Sequence, residues 1–467
     1  MVWPWTTVSA STSPKGKRIN GIRHTAQKKW PPKTSRQHFR SRLVVLLIMI
    51  TTMIAWVGAL LRLVLLSKDN RDPMSIHNPP VVAFHDAVDD RIAREIPGLE
   101  ISIPMPPDGG QSDLQVVIPA NLQSYFSSNI SIDDSKAKGM VLLLHACTHS
   151  ATKFFSPSLA TCPNCVGLSE EMRIVRLVLE KGYIPVALSC VDRKSGCWNP
   201  TKDTKRIEYL LKWLREEPSS NEPLSPRKFL STALSSSPSS QTFVMGASSG
   251  GAMAAQLVAH GVIDKGVVMV MGLGPKVVTQ LQELHRQRQQ SKNNGGKASS
   301  PKLYLAPMPR DKGTTQKAIQ NYHTLCTNNC ASAGHNPLPN SEAGDWIILD
   351  TTHCASLPVT VDFLMQRVPG MNVEAANQLI QALLEAKHMD KDSQELVVDP
   401  TRSNWRDLLL LQEEKKAVSS SSNASYYHGK FALQPGYSPL AKALHRAWAF
   451  HEYCSEVVVP ALEFFEQ

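Results

Sequence analysis

Beyond residue 113 the chain alternates between short apolar runs and longer stretches whose apolar positions recur at helical spacing. The runs 114–119, 140–144, 184–189, 242–246, 267–272 and 303–306 are short, apolar and bounded by turn residues, which predicts strands. Residues 168–181 predict a helix. Glu170 and Glu171 lie in its first turn, where the helix dipole favours acids, and Gly182 stops it. Residues 204–217 place Ile207, Leu210, Leu211 and Leu214 on one face before Pro218, and residues 249–260 form a third helix ending at Gly261. Strand and helix alternating over this length predict an α/β fold, a mostly parallel sheet covered by helices. The stretches 219–241, 285–302 and 415–426 are rich in Ser, Asn, Gln and Lys and are expected to be mobile surface insertions. Residues 357–412 break the alternation. The runs 357–365, 374–387 and 405–413 are helix-like, predicting a helical insertion over the sheet that serves either as a lid or as packing.

An earlier segment carries a different pattern. Residues 43–61 contain no charged side chain, and after Arg62 a short apolar run continues to Leu66. At helical rise this length matches a hydrocarbon core of about 30 Å, so residues 43–66 are expected to be one transmembrane helix. A buried core helix, a cleaved secretory signal and an organellar transit peptide are the competing readings. Charge then changes the picture. The chain has a formal net charge of +10, but residues 1–42 hold ten Lys and Arg and no acid, leaving 40 basic against 40 acidic residues elsewhere. The excess belongs to a tail, so nothing marks the folded part as a nucleic-acid binder. The positive-inside rule places that tail in the cytosol, against anionic lipid, and everything past the span in a lumen or outside the cell: a single-pass type II membrane protein of the endomembrane system. Residues 67–112, rich in Pro and Asp, are expected to be a stem, and residues 113–467 the folded domain. With 467 residues and 42% hydrophobic positions the chain is neither a small stapled scaffold nor a disordered protein.

The run Thr242-Phe-Val-Met-Gly246-Ala247-Ser248-Ser249-Gly250-Gly251-Ala252 has the form strand, G-x-S-x-G, helix. A nucleophilic Ser on such a turn needs a strained backbone, and the small residues around it let the helix pass close to the strand. Ser248 is the candidate nucleophile, and the N–H of Ser249 a natural oxyanion donor. The alternative is a structural tight turn. The second run, Val141-Leu-Leu-Leu-His145-Ala146-Cys147-Thr148-His149, is an apolar strand entering a polar loop. Its backbone N–H groups at Ala146 and Cys147 are candidates for the second oxyanion donor. His145 and His149 are four apart but follow a strand, which favours loop-shaping hydrogen bonds over a metal pair.

These motifs resemble α/β-hydrolases, with an oxyanion loop similar to that of polyhydroxyalkanoate-depolymerase-type and feruloyl-esterase-type members. More closely, the chain resembles a group of plant and algal membrane-anchored α/β-hydrolase-like proteins through HACTHSATKFF, CPNCVGLSEEMRIVR, GCW, GASSGGA, MPRD, LPVTVDFL and AFHEYCS, spread from His145 to Ser455. The resemblance implies the α/β-hydrolase fold and no particular substrate. In that architecture the order is Ser, acid, His. Asp311, in the loop after the strand at 303–306, is the candidate acid, with Asp350 the runner-up. His451, before an apolar C-terminal helix, is the candidate base, with His353 second and His445 expected to be structural. The 140 positions between Asp311 and His451 are a long gap for this fold.

All nine cysteines follow the apolar span. The close pairs Cys162/Cys165, Cys190/Cys197 and Cys326/Cys330 are expected to be disulfides; structural zinc on Cys162, Cys165, Cys326 and Cys330 ranks second and redox chemistry third. Asn129 and Asn423 stand in glycosylation sequons. The resulting expectation is a membrane-anchored serine hydrolase, an esterase or acyltransferase using Ser248, His451 and Asp311 and needing no cofactor or metal. Its substrate would be an ester-bearing small molecule, lipid or glycan. The rival readings are a non-catalytic scaffold of the same fold and a thiol or zinc protein.

Overall fold

The alternating runs assemble into one eight-stranded sheet in a computed structural model of the chain. Its strands are β1 (Gly98–Ile103), β2 (Leu114–Pro119), β3 (Gly139–Leu144), β4 (Tyr183–Leu188), β5 (Gln241–Ala247), β6 (Lys265–Met269), β7 (Lys302–Ala306) and β8 (Ile347–Leu349). They lie in the order β1-β2-β4-β3-β5-β6-β7-β8. β2 pairs antiparallel with both β1 and β4, and every other pairing is parallel. β3 and β4 are buried along their whole length, as strands covered on both faces must be.

The structure describes residues 96–106, 112–122, 137–216, 227–228, 230–231, 241–295, 300–327, 346–406 and 438–467. All belong to the compact unit Asp86–Gln467. The basic tail, the apolar span 43–66, most of the expected stem, Asn129, Cys330 and Asn423 lie outside the described residues. No described helix is long and apolar enough to cross a membrane.

The helices are α1 (Ser169–Glu180), α2 (Pro200–Arg215), α3 (Ser249–Ala259), α4 (Pro275–Asn293), α5 (Lys312–Thr327), α6 (Val361–Arg367), α7 (Val373–Glu385), α8 (Pro439–Trp448) and α9 (Val458–Glu466). Several bounds differ from the sequence expectation. The stem region contains β1, a half-exposed edge strand whose register with β2 is complete, so the folded part starts before residue 113. α2 starts four residues early, because the Asn199 side chain accepts from Thr201 N and Lys202 N and Pro200 occupies the first turn. α4 runs into the stretch expected to be a mobile insertion from residue 285. Val278, Leu281 and His285 form a narrow buried stripe on an otherwise polar helix, too thin to outweigh the composition of its exposed face.

The described residues form two apolar cores. The larger surrounds the sheet and takes in α1, α3 and α9. A smaller one is built from Val359, Phe363, Leu364, Leu379, Leu383, Trp405 and Leu444. The insertion therefore has its own core and extends through α8, past the expected end at 412. It departs after β8 and returns before α9, and the disulfide Cys354–Cys454 joins its two ends. Asp311 and His451 are far apart in sequence because this insertion lies between them.

Candidate active site

Ser248 follows β5 directly and stands at the N-cap of α3, with φ 54° and ψ −119°. No spare volume exists there. A Cβ on Gly246 would lie 2.3 Å from the Gly250 backbone, and one on Gly250 would lie 2.2 Å from Leu144 O. The small residues let α3 press against the ends of β3 and β5, while Ser248 N donates to Met269 O (3.0 Å) and ties the turn to β6. Thr148, Val270, Ala449 and His451 also hold positive φ. With Ser248, these strained residues follow β3, β5 and β6 or lie in the loop that meets them, where the surrounding fold must enforce each one.

The three residues predicted to act together lie in one hydrogen-bonded chain. Ser248 Oγ is 2.8 Å from His451 Nε2, and His451 Nδ1 is 2.7 Å from Asp311 Oδ2. Asp311 sits in the turn after β7, where its Oδ1 also accepts from Thr314 N at 3.3 Å. Partial burial of Asp311 would raise its pKa, but hydrogen bonds from His451 and Thr314 outweigh that and hold the carboxyl below its ordinary value.

The loop carrying His451 is anchored at every following residue. Glu452 is buried and takes an ion pair from Lys442 of α8 at 2.8 Å. Tyr453 Oη donates to Leu144 O at 2.8 Å. Cys454 is bonded to Cys354. Ser455 donates through N and Oγ to Glu170 of α1. Glu456 accepts from Arg446 and Arg367. Burial alone would raise the Glu452 carboxyl; the Lys442 ammonium draws it below its ordinary value. An imidazole on a loop held this tightly is pre-oriented, which is what proton transfer at a fixed site requires.

The segment after β3 is held as firmly. His145 is fully buried; its Nε2 accepts from Cys190 N (3.0 Å) and its Nδ1 donates to Ala146 O (2.8 Å). Burial lowers its pKa to about 3, so the ring is neutral. His149 Nδ1 lies 3.2 Å from Glu171 of α1. His145 shapes the loop through these hydrogen bonds, as expected from its position after a strand, while His149 is held beside Glu171. Ser249 opens α3, one residue beyond Ser248.

The runner-up residues find each other instead. His353 Nδ1 is 2.6 Å from Asp350 Oδ2, and Asp350 also accepts from Tyr304 Oη (2.6 Å) and Thr352. His445 is near Glu452 (3.9 Å), and burial lowers its pKa. The cysteine pairing needs correction. Cys162 and Cys165 are joined as expected, which removes both as thiolate ligands, but Cys197 is bonded to Cys147 and Cys190 is a buried free thiol. The 147–197 pairing joins two loops that meet only in the fold, which spacing along the chain does not encode. Cys326 is buried. Among the described residues no group of three His, Cys, Asp or Glu is arranged to hold a metal ion. A cleft of about 370 Å³ between α3 and α4, lined by Ala259, His260 and Leu284, opens at the end of α3 away from Ser248 and contains none of the predicted residues.

Sequence reasoning named Cys190 and Cys197 and quoted the runs holding Trp198 and Tyr453, but gave neither aromatic a role and did not place segment 190–198 behind the loop after β3. The local signals were a glycine at 196 and an aromatic at 198, and neither names its partner.

No family model matches the chain, and no curated protein matches it. Among solved structures it is similar to an esterase from Pyrococcus furiosus (14% identity over 61% of this chain and 91% of that one, TM-score 0.30). It is also similar to an acetyl xylan esterase from Aspergillus awamori (14%, 55% and 92%, TM-score 0.32). A third is a feruloyl esterase module from Clostridium thermocellum (10%, 58% and 89%, TM-score 0.32). The strand order, the antiparallel β2 beside an otherwise parallel run, and the strained turn between β5 and α3 are those of the α/β-hydrolase fold, which is the fold of this chain.

Proposed function

We propose that this chain is a serine hydrolase of carboxylic esters, tethered to a membrane by residues 43–66. The observation that carries the catalytic part is the unbroken chain from Ser248 Oγ through the His451 ring to Asp311, with Ser248 in a strained strand-to-helix turn. In this reading the Ser248 hydroxyl attacks the ester carbonyl and His451 Nε2 takes its proton. Asp311 keeps the Nδ1–H tautomer in place and stabilises the imidazolium that forms. The oxyanion is met by Ser249 N–H at the positive end of α3 and by a second N–H from the loop after β3. The backbone N–H groups of Ala146 and Cys147 are the candidates for that second donor. His451 returns its proton to the leaving alcohol, and water or another alcohol then resolves the acyl-enzyme with His451 as base. A lipid or glycan ester fits a tethered enzyme.

A fluorophosphonate probe is expected to label the wild type and to lose all labelling in Ser248→Ala, with ester turnover falling in parallel. Labelling that survives this substitution refutes the nucleophile. Labelling absent from both proteins favours the non-catalytic scaffold. Removing residues 1–66 is expected to move the protein from the membrane to the soluble fraction with its specific activity retained.

A further inference from the structure

The loop after β3 is not supported by β3 alone. A second segment, residues 190–198, grips it at five points. Cys190 N donates to His145 Nε2 (3.0 Å), and Trp198 Nε1 donates to His145 O (2.7 Å). Thr148 N donates to Ser195 O (3.0 Å). A Cβ on Gly196, at φ +61°, would lie 2.7 Å from Thr148 N, so this glycine is pressed against the loop backbone. The fifth grip is covalent, Cys147–Cys197. Thr148 itself holds φ 65°, a conformation a free loop would not keep. Exposure separates this disulfide from the others. Cys162, Cys165, Cys354 and Cys454 are buried, whereas Cys147 and Cys197 are both half-exposed. The nearby Cys190 thiol is buried, and burial raises its pKa to about 11, so it is a poor exchange partner.

We propose that segment 190–198 is a clamp that positions the loop after β3, with its N–H groups at Ala146 and Cys147, for catalysis, that its Cys147–Cys197 disulfide is the bond that holds the clamp closed, and that reduction of this bond by an external dithiol lowers turnover. The proposal rests on the serine-hydrolase reading. In the reduction step the dithiol gives up two electrons and two protons and closes to its own disulfide; the Cys147–Cys197 bond breaks and each sulfur leaves as a thiol. The side chains of Cys147, Cys197 and His145 are positioning groups, since none touches the reacting atoms. A donor displaced by about 1 Å costs on the order of 100-fold in rate, and complete loss of one oxyanion donor about 100- to 1,000-fold.

The test uses the full chain, a p-nitrophenyl ester, and amide hydrogen exchange of the peptide covering residues 141–153. In Cys147→Ser/Cys197→Ser, kcat is expected to fall about 10- to 100-fold with KM within about twofold, and amide exchange in the loop to quicken at least about tenfold. Wild type treated with a mild dithiol is expected to reproduce both changes and to recover on reoxidation. The variant Cys162→Ser/Cys165→Ser is expected to show neither. Gly196→Ala keeps all cysteines yet forces Thr148 to move, and is expected to lower kcat in the same way. Loop exchange equal to wild type in the double variant overturns the clamp, whatever the activity. So does a fall in kcat that the 162/165 control matches. Faster loop exchange in a protein without Ser248-dependent turnover supports the clamp and refutes the hydrolase reading instead.

Discussion

At the scale of single residues, two side chains make sharp predictions. Asp311 accepts the His451 Nδ1–H, so Asp311→Asn would leave the ring free to take the wrong tautomer. On the proposed mechanism kcat should fall about 1,000- to 10,000-fold while the unfolding midpoint stays within a few degrees, as checked by steady-state kinetics and thermal unfolding. His145 predicts a pH dependence of stability. In the folded protein it stays neutral down to about pH 3, because burial disfavours its cation, whereas unfolded it takes up a proton below its ordinary value of 6.5. Between those limits the unfolded state binds more protons, so stability should fall as pH drops from 6.5 toward 3, by up to about 1 kcal/mol per pH unit. His145→Gln keeps an acceptor for Cys190 N–H but cannot titrate; denaturant unfolding of this variant across that range should show a flatter acid limb. An unchanged limb would mean that other groups govern it.

Among the secondary-structure elements, the decisive feature is how closely α3 crosses the strand ends. Gly250 faces the backbone carbonyl of Leu144, which cannot swing aside as a flexible side chain could. Gly250→Ala should therefore cost at least about 2 kcal/mol in denaturant unfolding and displace Ser248. The same closeness explains why the turn was legible in the sequence: a crossing this tight admits only glycine at 246 and 250, and GASSGGA carries glycine at both. β1 and α4 were misread for the opposite reason. An edge strand and a polar surface helix bury only a thin line of side chains, so their apolar signal is weak against the surrounding composition.

Over the whole molecule, the helical insertion is docked by buried charge as well as by its own apolar core. Arg367 of α6 donates to Glu170 of α1 at 2.7 Å and also bonds Glu456, while Arg446 of α8 bonds Glu456 and the carbonyls of His353 and Ala355. Arg367→Met would leave Glu170 buried without this cation, and calorimetry should show a loss of about 3–5 kcal/mol. Because Glu170 and Glu456 also hold the loop after His451, ester turnover should fall with it.

The sequence alone determined the alternating α/β architecture, the tight strand-to-helix turn at Ser248, and an order of Ser248, Asp311 and His451 along the chain. These depend on local sterics and on hydrophobic periodicity, which neighbouring residues express. Only the tertiary structure decided that His451 meets Ser248 across 203 positions, and that Cys197 bonds Cys147 rather than Cys190. It alone brought segment 190–198 against the loop after β3. Each of those outcomes depends on which strand ends and loops become neighbours in space, and separation along the chain carries no record of that distance.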